Sequence, residues 1–578
     1  MPTRYPREQM HRIKYTKLTP EQILSKLSPA ANGPTSASAL SDVFADKTLK
    51  IVLDNGPTLR YRFADRNRLS FAETDDATTV QAGYGALTLD RLVLFSHIIP
   101  RTQRGFTVIV DQDTNLVTAF ETWFSGYQDN REVQRQIYYG YVEVPGAPPA
   151  TRHGITNRIE GKGFYWKQDN GIETLEFYPS VLYSNFVELT RFGGELSWCA
   201  PTDYIKISDD KYIYSRVEAE FSGTMTTYLL DPNRLEQVGV RLGFDDTDTL
   251  EYYMFRGRGE WLGQIAQFEP FGDVGTTIVQ GGNNRAAAPA ARGARSVYRP
   301  LKTNPIMTRA EVDAAIARNK TLFDPKNAMA GNKGPTSTFL AGKELTLRYD
   351  NGQAFNYRFD DVQKLRWRGE GSDTAWREER YESWESAPGV IMFGHLLGGA
   401  PDHDAFSIVA DFDNGLVTTL HGTMGTPYMG NEAAVKTLFG VVEMKGLTPP
   451  PKYRRHQFTD ELVGRAMSWN YQQGLTSMHL YSTPHSLSWI IFLNNGAGGL
   501  EWSGPASYVK IRDELYFAYW LEEACNGTLG TILINMRTMR NCGIDYSAGP
   551  NGLRLSIVGA HARHAGRFNS LKYFGAKA

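Results

Sequence analysis

The sequence predicts an all-β protein: four small antiparallel β-barrels in two duplicated halves, with a short helix at the start of each half. The chain has 578 residues, which is more than one hydrophobic core usually serves. Short apolar runs alternate with turn signals along most of it, as they do in antiparallel meanders. The second half also repeats the motifs of the first in the same order, which indicates a tandem duplication.

The repeat is visible in motifs that recur about 300 residues later. The segment VLDNGPTLRYRF (52–63) recurs as RYDNGQAFNYRF (348–359). WCAPTDYIKISDD, from Trp198, matches WSGPASYVKIRDE, from Trp502, at an offset of 304 residues. The offset drifts little between these motifs, so we place the insertions in loops, where they cost little stability.

The repeated Asp-Asn-Gly is interpreted as turn chemistry rather than as a catalytic motif. A two-residue turn with Asn-Gly at its centre needs positive φ, which Asn and Gly tolerate best. Asp54 and Asn55 in the first half, and Asp350 and Asn351 in the second, are therefore assigned to hairpin tips.

Helix caps and polar breaks divide the chain into segments. Thr19 followed by Pro20, and Thr308 followed by Glu311 three residues later, are typical of helix N-termini. The Gly-, Ala-, Asn- and Arg-rich stretch near residue 285 is typical of a flexible linker. The predicted order is a helical lead-in (1–44), two barrels (45–148 and 149–275), a linker (276–300), a second lead-in (301–337) and two barrels (338–447 and 448–578).

Charge and composition favour a soluble protein that acts on small molecules. Lys plus Arg total 62 and Asp plus Glu 63, so no strong field favours nucleic acid or an anionic membrane. Neither a signal-peptide pattern nor an apolar run of about 18 residues is present, so we expect a cytoplasmic protein. The 30 Tyr, 29 Phe and 11 Trp favour strands and aromatic-lined pockets. Homo-oligomerisation is left open.

The cysteine and histidine patterns give no reason to expect a metal or an organic cofactor. Three cysteines do not make a disulfide scaffold, and no Cys/His cluster has zinc spacing. Asp402, His403 and Asp404 could contact a metal, but consecutive residues splay poorly around one ion. We interpret them as a solvated loop, and we find no glycine-rich phosphate motif either.

Both parts of each half resemble the MoaF family. RRHQFTDELVGRAMSWNY (454–471) and ASYVKIRDELYFAYWLEE (506–523) are similar to the MoaF C-terminal domain. The stretch FLAGKELTLRYDNGQAFNYRFDDVQKLRW (339–367) resembles the N-terminal domain. The resemblance implies lipocalin-like barrels, and it implies that the chain corresponds to two family members fused in tandem.

A weaker similarity links the last part of each half to phenolic acid decarboxylases, which are small cofactor-free β-barrels. That family has a hairpin beginning with tyrosine and a catalytic glutamate that follows a tryptophan. WNYQQGL (469–475) and YWLEEACNG (519–527) resemble these two segments. The resemblance implies roles for Tyr471, Trp520 and Glu522.

The chain also departs from that family's pattern. The arginine expected two segments later falls near Glu501. The first half has Gln168 at the tyrosine position and Arg216 at the tryptophan position, although it keeps Glu218. These departures suggest that one half is catalytic and the other structural.

Glu218 and Glu522 are the leading candidates for acid–base chemistry. They are 304 residues apart, in step with the repeat, and Glu522 lies in a mostly apolar strand. An apolar wall raises the pKa of a carboxyl group, which suits a general acid or base near neutrality. The alternatives are a solvated, outward-facing glutamate or an ion pair with a neighbour such as Arg216.

His97 and His395 form a second candidate pair, 298 residues apart and each set in a run of large apolar residues. A histidine inside a barrel could shuttle protons or hydrogen-bond a phenol. The alternative is a core histidine whose ring is satisfied by a backbone carbonyl.

Aromatic residues that recur in both halves, or cluster around the WNYQQGL hairpin, are candidates for substrate binding. Such rings stack on flat ligands, and their polar atoms orient them. The alternative for each is core packing. The candidates are Trp198, Tyr204, Tyr471, His479, Tyr481, Trp502, Tyr508 and Trp520.

The sequence therefore predicts a cofactor-independent lyase acting on a small aromatic, phenolic compound. Decarboxylation, retro-aldol cleavage and dehydration all fit, because an ionised phenol can push or receive electrons without a metal. Tyrosine and histidine would polarise the phenol, and glutamate would move the proton. A lipocalin-like binding protein without catalysis and an isomerase of an aromatic metabolite remain as alternatives.

Overall fold

The chain forms two compact units in the computed structural model, residues 1–300 and 301–578. The structure describes residues 18–74, 78–124, 131–181, 183–191, 194, 196–218, 223–245, 247–267, 305–371, 375–398, 403–427, 429–493, 501–522 and 526–575. The predicted linker over 276–300 lies outside these residues, as do Asp402, Glu523 and Cys525. No helix in the described ranges is long and apolar enough to cross a membrane.

Unit 1 begins with helix α1 (Pro20–Leu27) and the short strand β1 (Thr35–Ser36), followed by a closed antiparallel barrel of eight strands. We call it barrel 1. Buried and exposed residues alternate along its strands: on β3, Leu59, Tyr61 and Phe63 are buried, while the residues between them are exposed. The strands are β2 (Thr48–Leu53), β3 (Thr58–Phe63), β4 (Arg68–Glu73), β5 (Val80–Leu89), β6 (Leu92–Ile98), β7 (Arg104–Asp111), β8 (Leu116–Phe124) and β9 (Val133–Val142).

Barrel 2 completes unit 1, and it is also a closed ring of eight antiparallel strands. Its ring closes through the pairing of the last two strands, and β1 adds to the last strand in parallel. A short extra strand, β10 (Gly154–Ile155), pairs with β14. The ring strands are β11 (Lys162–Gln168), β12 (Glu173–Phe177), β13 (Tyr183–Glu188), β14 (Trp198–Lys206), β15 (Tyr212–Glu218), β16 (Thr224–Asp231), β17 (Glu236–Phe244) and β18 (Leu250–Gln264).

Unit 2 repeats this plan. It begins with helix α2 (Arg309–Arg318) and strand β19 (Lys320–Leu322), and barrel 3 follows. Barrel 3 consists of β20 (Glu344–Tyr349), β21 (Ala354–Phe359), β22 (Lys364–Gly369), β23 (Arg377–Ala387), β24 (Val390–Leu396), β25 (Ala405–Asp411), β26 (Leu416–Met424) and β27 (Ala433–Glu443).

Barrel 4 ends the chain, with the short strand β28 (Gln457–Phe458) pairing outside its ring and β19 pairing in parallel with its last strand. The predicted all-β architecture of four barrels in two halves is therefore confirmed. The ring strands are β29 (Arg465–Gln472), β30 (Leu475–Thr483), β31 (Ser486–Leu493), β32 (Glu501–Arg512), β33 (Leu515–Leu521), β34 (Leu529–Asn535), β35 (Arg540–Gly549) and β36 (Gly552–Arg567).

Both predicted helix N-termini are confirmed. The Thr19 side chain accepts from the backbone N–H of Gln22, the Gln22 side chain accepts from the backbone N–H of Thr19, and Pro20 opens the helix. Thr308 and Glu311 form the same reciprocal capping box at α2. Each box satisfies donors that a helix start leaves unpaired.

The prediction of a two-residue Asn-Gly turn is wrong for both hairpins. Such a turn needs positive φ at both central residues, but only Asn55 (φ 54°) has it in the first hairpin and only Gly352 (φ 87°) in the second. The paired positions flanking the first tip are Val52 and Thr58, so the loop is longer than two residues.

The aspartate of each hairpin instead ties the two barrels of its unit together. Asp54 accepts from the guanidinium of Arg152, Nε at 2.9 Å and Nη2 at 3.1 Å. Arg152 belongs to the segment that connects barrel 1 to barrel 2, and Asp350 binds Arg455 in the same way in unit 2. The hairpin recurs because each half needs this contact as well as the turn.

Candidate active site in barrel 4

Five strands of barrel 4 bring the candidate residues to one side of its interior. His479 on β30 lies opposite Trp489 on β31, and Trp489 lies opposite Trp502 on β32. Directly paired residues of an antiparallel sheet share a face, so these three rings form one continuous wall. Tyr471 on β29 lies two residues beyond Trp469, on the same face of its strand.

Glu522 directly follows β33 and is held by two tryptophans. The indole Nε1 groups of Trp489 and Trp520 donate to its Oε1 at 2.9 and 3.0 Å. Burial raises the pKa of this carboxyl group, and the hydrogen bonds from the indoles oppose that rise. Glu522 is thus a buried carboxyl group with neutral hydrogen-bond donors, which suits proton transfer better than a fixed ion pair does.

Tyr471 and His479 lie beside this carboxyl group. The Ser477 hydroxyl donates to the Tyr471 oxygen at 3.3 Å, and the Tyr471 oxygen lies 3.5 Å from His479 Nε2. Burial lowers the pKa of His479 to about 3, so the imidazole is neutral at physiological pH. Burial also raises the pKa of Tyr471, as do the charges of Asp545 and Glu522, so its hydroxyl stays protonated and can donate.

Asp545 on β35 is a second carboxyl group at this site, and it was not among the residues predicted from the sequence. Burial and then the charge of Glu522 raise its pKa to about 8. Its Oδ1 is buried and has no hydrogen-bond partner among the described residues. Asp545 is therefore protonated near neutrality and can donate a proton.

Further polar atoms of the wall are buried without a partner among the described residues, namely His479 Nδ1 and Trp502 Nε1. Buried polar atoms in proteins are nearly always hydrogen-bonded. A wall with such atoms, Asp545 Oδ1 and Trp469 Nε1 included, is suited to a polar, flat ligand that supplies both donor and acceptor atoms.

The aromatic residues at the other end of this interior have structural contacts. The Tyr508 hydroxyl donates to the backbone carbonyl of Ser486 at 2.8 Å, and the Tyr481 ring packs on the Tyr508 ring at 5.5 Å. In barrel 2 the Tyr204 hydroxyl donates to the carbonyl of Tyr183 at 3.0 Å. The structure thus gives Tyr204 and Tyr508 the same bond across neighbouring strands, which favours the packing alternative for both.

Barrel 2 has ion pairs at the positions where barrel 4 has this site. Arg216, at the position of Trp520, donates to Glu176 at 2.7 Å and to Glu218 at 3.0 Å. Arg241, at the position of Asp545, donates to both oxygens of Glu218. Trp198 is buried in this barrel as well. For Glu218 the structure therefore favours the ion-paired alternative over a role in proton transfer.

His97 and His395 lie in barrels 1 and 3, so the structure does not bring them together with Glu218 or Glu522. Each is fully buried and contacts a tyrosine hydroxyl, Tyr61 at 3.2 Å and Tyr357 at 3.1 Å. Burial lowers their pKa values, to about 3 for His97 and about 4 for His395. His395 Nδ1 donates to the Leu396 carbonyl at 2.8 Å, which favours the alternative of a satisfied core histidine.

Gly530 on β34 allows Trp520 to reach Glu522. Gly530 is paired directly with Trp520, and a Cβ on Gly530 would come within 2.2 Å of the Trp520 ring. We expect Gly530→Ala to displace this ring and to lower the free energy of unfolding by about 1–3 kcal/mol, measured by urea denaturation. Gly369→Ala is the control, because a Cβ there meets nothing within 4 Å. Equal, small effects of both changes would refute the crowding argument.

Asp545 makes the stability of unit 2 depend on pH. Its pKa is about 8 in the folded chain against a usual 3.8, so the folded state holds this proton more tightly. The contribution of Asp545 to the free energy of unfolding is therefore fully present below about pH 4, and it is lost as the pH rises to about 8. We expect Asp545→Asn to have a flatter dependence of unfolding free energy on pH across this window than the unmodified chain. Parallel curves for the two proteins would show that Asp545 titrates normally.

The site thus defines a class: a closed β-barrel whose interior holds two carboxyl groups and a tyrosine in an aromatic wall. Comparisons with known proteins add the family. The MoaF N-terminal domain matches residues 324–426, and the MoaF C-terminal domain matches residues 456–567. The first match covers most of barrel 3, up to β26, and the second covers barrel 4, so these two regions are similar to the two domains of the MoaF family.

Other comparisons add little. No curated protein matches the chain. Among solved structures, the LG1-3 region of the laminin alpha2 chain aligns at 9% identity over 71% of this chain and 87% of that chain. Its TM-score is 0.11, so it carries no argument about fold or function.

Proposed function

We propose that barrel 4 is the active site of a cofactor-independent lyase that acts on a small phenolic compound. The observation that carries this proposal is that the buried Glu522 and the half-buried Asp545, whose Oδ1 is buried, lie close enough to the Tyr471 hydroxyl for their charges to raise its pKa. Burial raises the pKa of both, and carboxyl groups whose pKa is raised toward neutrality suit general acid–base catalysis.

Each residue of the site has a separate role in this reaction. Trp489, Trp502 and Trp520 stack on the substrate ring, and the Tyr471 hydroxyl binds the phenol oxygen. The ionised phenol pushes an electron pair through the ring, and Asp545 delivers a proton to the side-chain carbon. In decarboxylation the carbon–carbon bond to the carboxylate then breaks, its electron pair returns to the ring, the group leaves as CO2, and Asp545 regains a proton from solvent. In retro-aldol cleavage Glu522 takes the proton of the hydroxyl group that becomes the aldehyde. Glu522 accepts protons from the substrate and returns them.

The assignment to barrel 4 rather than barrel 2 rests on charge. The carboxyl groups of barrel 2 are paired with arginines that are themselves buried, so moving a proton there would leave a buried charge uncompensated. The similarity of WNYQQGL and YWLEEACNG to the decarboxylase segments supports the same choice, since Gln168 and Arg216 replace their key residues in barrel 2.

A carrier of aromatic ligands is the second candidate. The buried donors and acceptors of the wall, His479 Nδ1 and Trp502 Nε1 among them, favour ligand binding whether or not chemistry follows. An isomerase would use the same residues without losing a fragment.

Turnover separates these candidates. The full-length protein is incubated with a panel of phenolic acids and lignin-type dimers, products are followed by chromatography, and tryptophan fluorescence reports binding. The proposal expects loss of a small fragment from at least one phenol and none from its O-methyl ether. Quenching without product throughout the panel would favour the carrier, and a product of unchanged mass would favour the isomerase.

A further inference from the structure

A histidine–aspartate pair lies at one end of the interior of barrel 3, away from the site proposed above. His421 Nε2 lies 2.6 Å from Asp404 Oδ2, and their side chains are 18% and 13% exposed. His421 on β26 is paired directly with Phe406 on β25. Phe406 is fully buried in the barrel core, so His421 shares its inward face.

Aromatic and charged groups lie at the same end of the barrel as this pair. The rings of Phe406 and His421 lie 4.8 Å apart. Trp367, on the inner face of β22, has a buried Nε1 without a hydrogen-bond partner among the described residues. The Arg377 guanidinium lies 5.2 Å from the centre of the Trp367 ring. This end of the barrel therefore has a flat apolar wall, a free N–H donor and a nearby cation.

Barrel 1 has a fixed ion pair at the same positions. Arg104 and Glu121, each 300 residues before its counterpart in barrel 3, bond at 3.0 and 2.6 Å. Arg104 also donates to Glu73. Barrel 1 thus has a guanidinium bound to carboxylates at these positions, whereas barrel 3 has an imidazole bound to a carboxylate.

We propose that this end of barrel 3 is a second small-molecule site, which binds phenols and takes their proton. A carboxylate only accepts hydrogen bonds, so His421 donates Nε2–H to Asp404 and keeps the lone pair on Nδ1. The phenol ring packs on Trp367 and Phe406. Its O–H bond breaks as Nδ1 gains the proton, Asp404 stabilises the imidazolium, and Trp367 Nε1–H and Arg377 stabilise the phenolate.

This proposal does not depend on catalysis in barrel 4, and one titration separates the two sites. The probe is para-nitrophenol, whose phenolate absorbs visible light, added to the full-length protein at a pH where the free probe is mostly protonated. We expect a saturable rise in phenolate absorbance with the unmodified chain and with Glu522→Gln. Para-nitroanisole, which has no proton to give, should compete at least tenfold more weakly.

The matched variant is Asp404→Arg with His421→Glu, which installs the ion pair of barrel 1 in barrel 3. We expect it to abolish the absorbance change, and His421→Gln provides a milder version if the double change does not fold. Trp367→Phe should weaken binding about tenfold, as loss of a hydrogen bond to a charged group does. The proposal is overturned if the unmodified chain gives no signal, or if the signal survives His421→Gln unchanged.

Discussion

Replacing Glu522 by glutamine is expected to lower kcat for the phenolic substrate by about 100- to 10,000-fold, the usual contribution of a general acid or base. Glutamine keeps the size of the side chain and an oxygen that can accept from Trp489 and Trp520. It removes only the ability to exchange a proton. KM should therefore change little, because the aromatic wall that binds the ring is intact.

Glu461→Gln is the matched control for this change. Glu461 is a carboxylate of the same unit, but it is partly exposed and bonds to Lys510 and to the Tyr516 hydroxyl. Its replacement should leave kcat within about twofold, since an exposed ion pair contributes at most about 1 kcal/mol and no chemistry. A Glu522→Gln enzyme as active as Glu461→Gln would remove Glu522 from the mechanism.

Replacing Arg216 by methionine is expected to destabilise barrel 2 by roughly 3–5 kcal/mol, the typical cost of breaking a buried ion pair by removing one partner. Arg216 is 1% exposed and holds both Glu176 and Glu218. Without it, Glu176 loses its cation while remaining fully buried. Hydrogen exchange of the β12 and β15 amides in the full-length chain measures the effect on this barrel alone.

A second change tests the cause. Arg216→Met with Glu176→Met removes the stranded carboxylate as well, and replacement of both partners by apolar residues is often close to neutral. The double variant should therefore be more stable than Arg216→Met. If it is less stable, the large effect comes from lost packing of the arginine against Phe186, 3.6 Å from its ring centre, rather than from charge.

Local sequence signals predicted the fold well. Helix caps at Thr19 and Thr308, alternating burial on the strands and the repeat itself are properties of short segments, so they are readable without coordinates. The turn was misjudged because Asp54, besides its place in the hairpin, accepts a hydrogen bond from Arg152, nearly a hundred residues later. Such a contact depends on how two barrels dock, and no local pattern encodes it.

The candidate site was predicted in part. Glu522 and Tyr471 were predicted because they lie in segments that resemble a known family, on β29 and directly after β33. Asp545 was missed because it lies on β35, two strands beyond Glu522 and outside the two segments that resemble the decarboxylases. A signal was present in the repeat: residue 241, its counterpart in the first half, is an arginine. Positions where one copy has a cation and the other an acid would have indicated where the two interiors differ.

The most direct test of the account is a crystal structure of the full-length protein with a bound phenolic acid. The account predicts the ring among Trp489, Trp502 and Trp520 of barrel 4, with the phenol oxygen at Tyr471 and the side chain between Glu522 and Asp545. The same density in barrel 2, displacing Arg216 from its glutamates, would contradict it, and so would a barrel 4 interior that stays free of ligand while the crystals turn the compound over.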